Sequence, residues 1–158
     1  FCPAGELVTT ILLLGFVPVL AYPAQPLFPR YRSRGREGQR ELAFVFTGVG
    51  YTIAFLWALL AGVSPEIRTI CAGYFFSALF LTLCNRVLHR RASGHACSAA
   101  GPLLFLIYYF GWWMLLPSIV IGWLVAWASV ALKRHTPTDL LWGALCSAAG
   151  FAIAVLWF

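Results

Sequence analysis

Charge is scarce in this chain. Only 10% of its 158 residues are Asp, Glu, Lys or Arg, against 61% that are apolar, and the mean hydropathy is +0.84. A water-soluble domain of this size needs far more polar surface to stay dissolved, so that class is excluded. Acidic groups are scarcest: there are five in all and a single Asp, Asp139. Cysteines at metal-ligand spacing are also missing. Cys2, Cys71, Cys84, Cys97 and Cys146 form neither a zinc pattern nor a paired framework. Four of them lie inside apolar runs, where Cys behaves as a small hydrophobe. There is no internal repeat and no low-complexity tract.

What remains is a set of long apolar runs. A membrane-spanning helix needs about 20 mostly apolar residues. Six runs qualify, at roughly 6–22, 42–61, 67–85, 95–109, 112–132 and 140–158. The expected fold class is all-α, a six-helix transmembrane bundle forming a single domain over residues 1–158. The first run has no basic start and no clean cleavage site, so it reads as a retained span rather than a signal peptide. The first polar break covers residues 23–41 and begins with Pro23. Its second half carries Arg30, Arg32, Arg34, Arg36 and Arg40 and is expected to be exposed and mobile. A short turn with Pro65 follows the second run. Gly111, Trp112, Trp113 and Pro117 mark a tight turn at the lipid interface, where Trp is favoured. Ala99-Ala100-Gly101 and Ala148-Ala149-Gly150 read as close helix packing.

The net charge of +6 does not imply a nucleic-acid partner, because the basic residues flank apolar spans. Ten of the eleven Lys and Arg fall in the odd-numbered connections, and Arg68 alone sits near the other side. The positive-inside rule then turns the basic side toward the cytoplasm. Asp139 and all three His lie on or near that side. Ionisable residues in so apolar a chain mark function or water contact.

Two short segments carry the chemistry. The first is Arg90-Arg91-Ala92-Ser93-Gly94-His95-Ala96. The second is Lys133-Arg134-His135-Thr136-Pro137-Thr138-Asp139, followed by Leu140-Leu141-Trp142-Gly143. Ser93 is a good N-cap for a helix beginning at Gly94. Thr136 is another, with Pro137 at the first helical position and Asp139 placed to complete a capping box. Each helix N-terminus is expected to offer free N–H groups and a partial positive charge to an anion, with Arg91, Lys133 and Arg134 beside them. A phosphate is the natural ligand. Asp139 lies one helical turn after His135, where its carboxylate can accept the imidazole N–H and leave the other nitrogen to attack. His95 can donate a proton to a departing oxygen. Phosphoryl transfer needs mainly positioning and charge stabilisation, so these parts suffice without a metal or other cofactor. His89 reads as a solvated residue. His135 and Asp139 lack a third partner at metal-ligand spacing.

These segments resemble the second and third signatures of the type-2 phosphatidic acid phosphatase superfamily. Ser93-Gly94-His95 is similar to the second, and His135-x-x-x-Asp139 followed by Gly143 to the third. Their order, the roughly forty-residue gap and the placement before two spans also agree. The resemblance covers residues 42–158 and implies a six-helix membrane core. It implies that His135 is the nucleophile, Asp139 its partner and His95 the general acid, with Ser93 and the Gly94 N–H holding phosphate. The chain departs from the family pattern in three places. The Lys and Arg-Pro of the first signature are absent, so Arg91, with Arg86 or Arg90, is expected to supply that cation. Ala92 stands where the family has Pro. Ser129 stands where the third signature has Arg. Lys133, four residues on, is expected to compensate from the same helical face, although a Lys clamps phosphate less tightly than a bidentate Arg.

The implied activity is hydrolysis of a lipid phosphate or polyprenyl (di)phosphate through a phosphohistidine, with membrane lipids as surroundings and a bacterial or archaeal cell membrane as location. Two other readings stand beside it. One is a phosphotransferase on the same scaffold, and the other is an inactive member that only binds anionic lipid. A transporter fits poorly, because no paired interrupted helices carry midplane charges.

Overall fold

A computed structural model describes residues 3–158; the expectation made for Cys2 lies outside them. The described residues are 87% helical and contain no strand. Six long helices follow one another. They are α1 (Ala4–Leu27), α2 (Gly35–Leu60), α3 (Pro65–Val87), α4 (Gly94–Phe110), α5 (Leu115–Ala131) and α6 (Pro137–Trp157). Five helical segments are long and apolar enough to cross a membrane: α1, α2, α3, α6, and α5 with the 3-10 turn Trp112–Met114 before it. Together they are the signature of an integral membrane protein. The helix α4 is apolar but shorter, with 17 residues.

The chain forms two compact units, which meet inside α3 between Cys71 and Ala72. In the first, α1 packs on α2. Gly50 lies against the Leu13 carbonyl and the Val17 side chain with no space for a Cβ. Ala54, Ala58, Val63, Ile67 and Cys71 form a buried cluster, flanked by Leu13, Leu14 and Trp57. The Glu6 carboxylate accepts from the Ser64 N–H at 3.0 Å and its hydroxyl at 2.8 Å. That contact ties the start of α1 to the turn before Pro65.

The first polar break is shorter than the sequence suggested. Pro23 lies inside α1, and α2 begins at Gly35, so residues 35–41 are helical rather than a mobile loop. Local contacts explain the difference. Arg34 pairs with Glu41 at 2.6 Å and with Glu37 at 3.2 Å. The Gln25 amide donates to the Tyr31 and Gly35 carbonyls at 3.1 and 2.7 Å. Gly38 lets α2 pass directly over the Tyr31 backbone. The arginines themselves are exposed, as expected.

In the second unit, α4 and α6 pack along each other and against the end of α3. Glycine permits each close approach. Gly143 meets the Ser93 backbone, Gly150 meets Ser77, and Gly73 meets the Phe105 ring. Gly101 and Gly150 are both buried, so the two Ala-Ala-Gly tracts do serve helix packing. Cys71, Cys84, Cys97 and Cys146 are buried thiols, and Cys84 and Cys146 lie in sulfur–sulfur contact at 3.5 Å. The tight turn after α4 forms at Gly111, with φ of 85°, and stacks the exposed Trp112 and Trp113 rings.

Candidate active site

Both helices that carry the signature residues start where their caps dictate. Ser93 is extended, and its hydroxyl accepts the Ala96 N–H at 3.3 Å. Thr136 forms the full capping box: its hydroxyl accepts the Asp139 N–H at 3.2 Å, and Asp139 Oδ2 accepts the Thr136 N–H at 3.1 Å. A cap of this kind stabilises a helix by about 1 kcal/mol.

The two N-termini lie against each other. The Ser93 N–H donates to the Asp139 carbonyl at 2.8 Å, and Gly143 seats Ser93 on the first turns of α6. This packing brings the His95 and His135 rings to 5.6 Å between centroids, tilted by 49°. His135 Nδ1 lies 4.0 Å from Asp139 Oδ2, and Arg91 Nε lies 3.7 Å from the same oxygen. The Asp139 side chain is 9% exposed, His135 18% and Arg91 70%, so a sheltered carboxylate stands behind a half-sheltered imidazole and an open guanidinium.

Three expectations change in detail. The His135–Asp139 contact is electrostatic at this distance rather than a hydrogen bond. Asp139 Oδ2 takes its hydrogen bond from the Thr136 N–H. Catalytic hydrogen bonds often tighten only when substrate binds.

The second change concerns the anion cradle, which is one-sided. Capping consumes the Thr136 and Asp139 N–H groups, and Pro137 has none, so α6 retains only the Thr138 donor. On α4, Ser93 and Ala96 spend their N–H groups, which leaves those of Gly94 and His95 without an acceptor among the described residues. Ser93 itself is 1% exposed, so its hydroxyl serves first as a cap.

The third change concerns Lys133. It does not share a helical face with Ser129, because α5 ends at Ala131 and Lys133 turns left-handed, with φ of 52°. Its N–H donates to the Val130 carbonyl at 2.9 Å, and the Arg134 N–H to the Ser129 carbonyl at 3.1 Å, a Schellman closure. Lys133 and Arg134 are exposed in the turn that leads to His135. A non-glycine residue costs about 1–2 kcal/mol in this conformation. Lys133→Gly is therefore expected to raise the unfolding midpoint. Thermal melts check it, and an unchanged or lower midpoint would show that the left-handed turn carries no strain.

Asn85 was not evident from the motifs. It sits in a π-helical turn at the end of α3, Leu83–Val87. Its Oδ1 accepts the Ala92 N–H at 3.1 Å, and its Nδ2 donates to the Ala92 carbonyl at 3.2 Å and the Leu81 carbonyl at 2.9 Å. The side chain thus grips the residue immediately before Ser93 on both backbone groups. The available signal was that Asn85 is the only Asn in the chain and sits at the end of an apolar run. Asn85→Leu would strand two polar groups of the buried Ala92, at about 1–3 kcal/mol each. A lower melting midpoint and reduced turnover are expected, and an unchanged melt would show that the clamp is not needed.

His89 is exposed, with φ of 49°. Among the described residues no three His, Cys, Asp or Glu side chains gather as a metal-binding group. Comparison with protein families, with characterised proteins and with solved structures gives no match for this chain.

Proposed function

We propose that this protein is a membrane phosphatase that hydrolyses a lipid phosphate or polyprenyl (di)phosphate through a phosphohistidine on His135, on the six-span scaffold of the type-2 phosphatidic acid phosphatases. The observation that carries the reading is the pairing of His95 and His135, with ring centroids 5.6 Å apart, where two capped helix N-termini abut. A sheltered carboxylate stands behind one imidazole, and free N–H groups adjoin the other.

The substrate phosphate lies on the Gly94 and His95 N–H groups, with Arg91 and the exposed Lys133 and Arg134 balancing its charge. Asp139 attracts the proton on His135 Nδ1 and leaves Nε2 as the attacking atom. Nε2 forms a bond to phosphorus as the phosphorus–oxygen bond to the lipid breaks. His95 gives its proton to the leaving oxygen, and the lipid departs as the alcohol or, from a diphosphate, as the monophosphate. His95, now neutral, takes a proton from a water molecule that attacks the phosphohistidine. Inorganic phosphate leaves, and both histidines return to their starting states. Short-range positioning and fixed donors supply the rate enhancement.

Purified protein incubated with a panel of lipid phosphates in EDTA is expected to release inorganic phosphate without an added acceptor. Release that needs an acceptor alcohol indicates a phosphotransferase. Loss of activity in EDTA that added metal restores overturns the mechanism.

The site is assigned to the cytoplasmic face, on the excess of arginine in the connections on its side. A single cysteine at the exposed Leu88, in a background without native cysteines, is expected to resist an impermeant thiol reagent in intact cells. Labelling there places the site outside.

A further inference from the structure

In the first unit, the elbow between α1 and α2 concentrates positive charge. Residues 28–41 hold five arginines and two glutamates, a net charge of +3. The pairing is uneven. Arg34 takes both acids, Glu37 at 3.2 Å and Glu41 at 2.6 Å. Arg30, Arg32, Arg36 and Arg40 are exposed and have no ion-pair partner among the described residues.

The backbone that carries these four is fixed. Pro29–Arg32 form a single helical turn, and α2 starts three residues later at Gly35. Gly38 of α2 presses on the Tyr31 carbonyl. The Phe28 ring packs edge-on against Tyr31 and against Phe46 of α2, with centroids 6.3 and 6.4 Å apart. Arg30 and Arg32 are the chain neighbours of Tyr31, and Arg30 Cζ lies 6.0 Å from that ring's centroid. Arg36 and Arg40 stand two residues to either side of Gly38, on one face of α2. Four unpaired guanidiniums are thus tethered around one backbone crossing. Both helices that meet there are long and apolar enough to cross a membrane, so the crossing lies at the level of the lipid headgroups. Leu27 and Phe28 are exposed beside it, apolar surface that suits the boundary with the acyl chains.

We infer that this elbow is a binding site for anionic phospholipid, with Arg30, Arg32, Arg36 and Arg40 holding headgroup phosphates. A guanidinium matches a phosphate bidentately. A zwitterionic headgroup brings its own ammonium and leaves the arginine charge uncompensated, whereas a net-negative headgroup neutralises it. Each such arginine strengthens association with an anionic surface about five-fold. Soluble polyanions are disfavoured by place, because headgroups already surround an elbow that joins two spans. The inference stands apart from the phosphatase reading, since it uses no residue of that site.

The test reads lipid contact directly. Intact protein is placed in phosphatidylcholine nanodiscs with a trace of phosphatidylglycerol or of phosphatidylcholine, each carrying a diazirine at the top of one acyl chain. Both faces of a nanodisc are alike, so orientation does not enter. After photolysis, labelled peptides are read by mass spectrometry. The phosphatidylglycerol tracer is expected to label residues 27–41 about ten-fold or more above the phosphatidylcholine tracer. Unlabelled phosphatidylglycerol should compete, and high salt should weaken the preference. Arg36→Gln or Arg40→Gln should each lower the competing affinity about five-fold. Replacing all four arginines by Gln should leave the two tracers equal. Equal labelling of the wild-type elbow by both tracers overturns the inference and leaves the arginines as a solvated face. A preference that survives the fourfold substitution overturns it too. The wild-type comparison and the single variants decide the matter even if the fourfold variant fails to fold.

Discussion

Replacing His135 by alanine is expected to abolish phosphate release, with a fall of about 10⁴-fold or more, on the scale seen when a covalent nucleophile is removed. The fold should survive, since His135 precedes α6 and takes no part in the Thr136–Asp139 cap. His95→Ala should cost about 10²–10⁴-fold, the range for a general acid–base group. The two variants differ in a way a merely structural role would not reproduce. A substrate with a good leaving group, such as an aryl phosphate, needs little proton donation. It should restore much of the first step in His95→Ala and none in His135→Ala. Wild-type enzyme quenched with labelled substrate should carry an acid-labile phosphoryl group, absent from His135→Ala. Asp139→Asn keeps an oxygen able to accept the Thr136 N–H and removes the charge facing His135 and Arg91. It should therefore melt near wild type and turn over much more slowly. Wild-type rates in His135→Ala sink the mechanism.

The second large effect is expected at Gly143. A Cβ there would collide with the Ser93 carbonyl, a backbone atom that cannot swing aside, and with the Ala96 methyl. Gly143→Ala must push the start of α4 away from α6. Overpacking of this kind costs about 1–3 kcal/mol. The larger consequence is geometric, since a displacement near 1 Å at a catalytic constellation can cost about 10²-fold in rate. Gly150 is the control. Its Cβ would meet the Ser77 backbone further along the same helix, seven residues beyond Gly143. Gly150→Ala should destabilise comparably and reduce turnover far less. Melting midpoints and kcat measured side by side decide the point. Equal activity loss in both would mean that Gly143 matters only for folding.

The helical content, the run positions and both caps were legible in the sequence, because each depends on local chemistry. Apolar run length determined the six long helices, and Ser93 and Thr136 cap where their side chains reach the third N–H. The site residues come together because the two capped helix N-termini pack against each other. Less legible were features that depend on tertiary contact. The Arg34–Glu37–Glu41 pairs and the passage of Gly38 over Tyr31 turned an apparent loop into the start of α2. The end of α5 at Ala131 removed Lys133 from the face of Ser129, a boundary that residue spacing alone could not place. Asn85 was hidden because its partners, Leu81 and Ala92, are backbone groups that carry no sequence pattern. The uneven donors of the two helix ends emerged only when each N–H was followed to its acceptor.

The α4 helix has 17 residues, as has α5, but only α5 is lengthened to 20 by a preceding 3-10 turn. At 1.5 Å per residue α4 measures about 26 Å, whereas a bilayer's hydrocarbon core is about 30 Å thick. The stacked Trp112 and Trp113 follow its far end, and Trp favours the headgroup level. With that pair at one interface, the Ser93 end would fall short of the other. The expected response is a bilayer that dimples toward it or a bound anion that sits a few ångströms below the neighbouring headgroups. Both responses are forms of hydrophobic mismatch, and both ease as acyl chains shorten. On the proposed phosphatase reading, turnover is expected to vary with the thickness of the surrounding membrane.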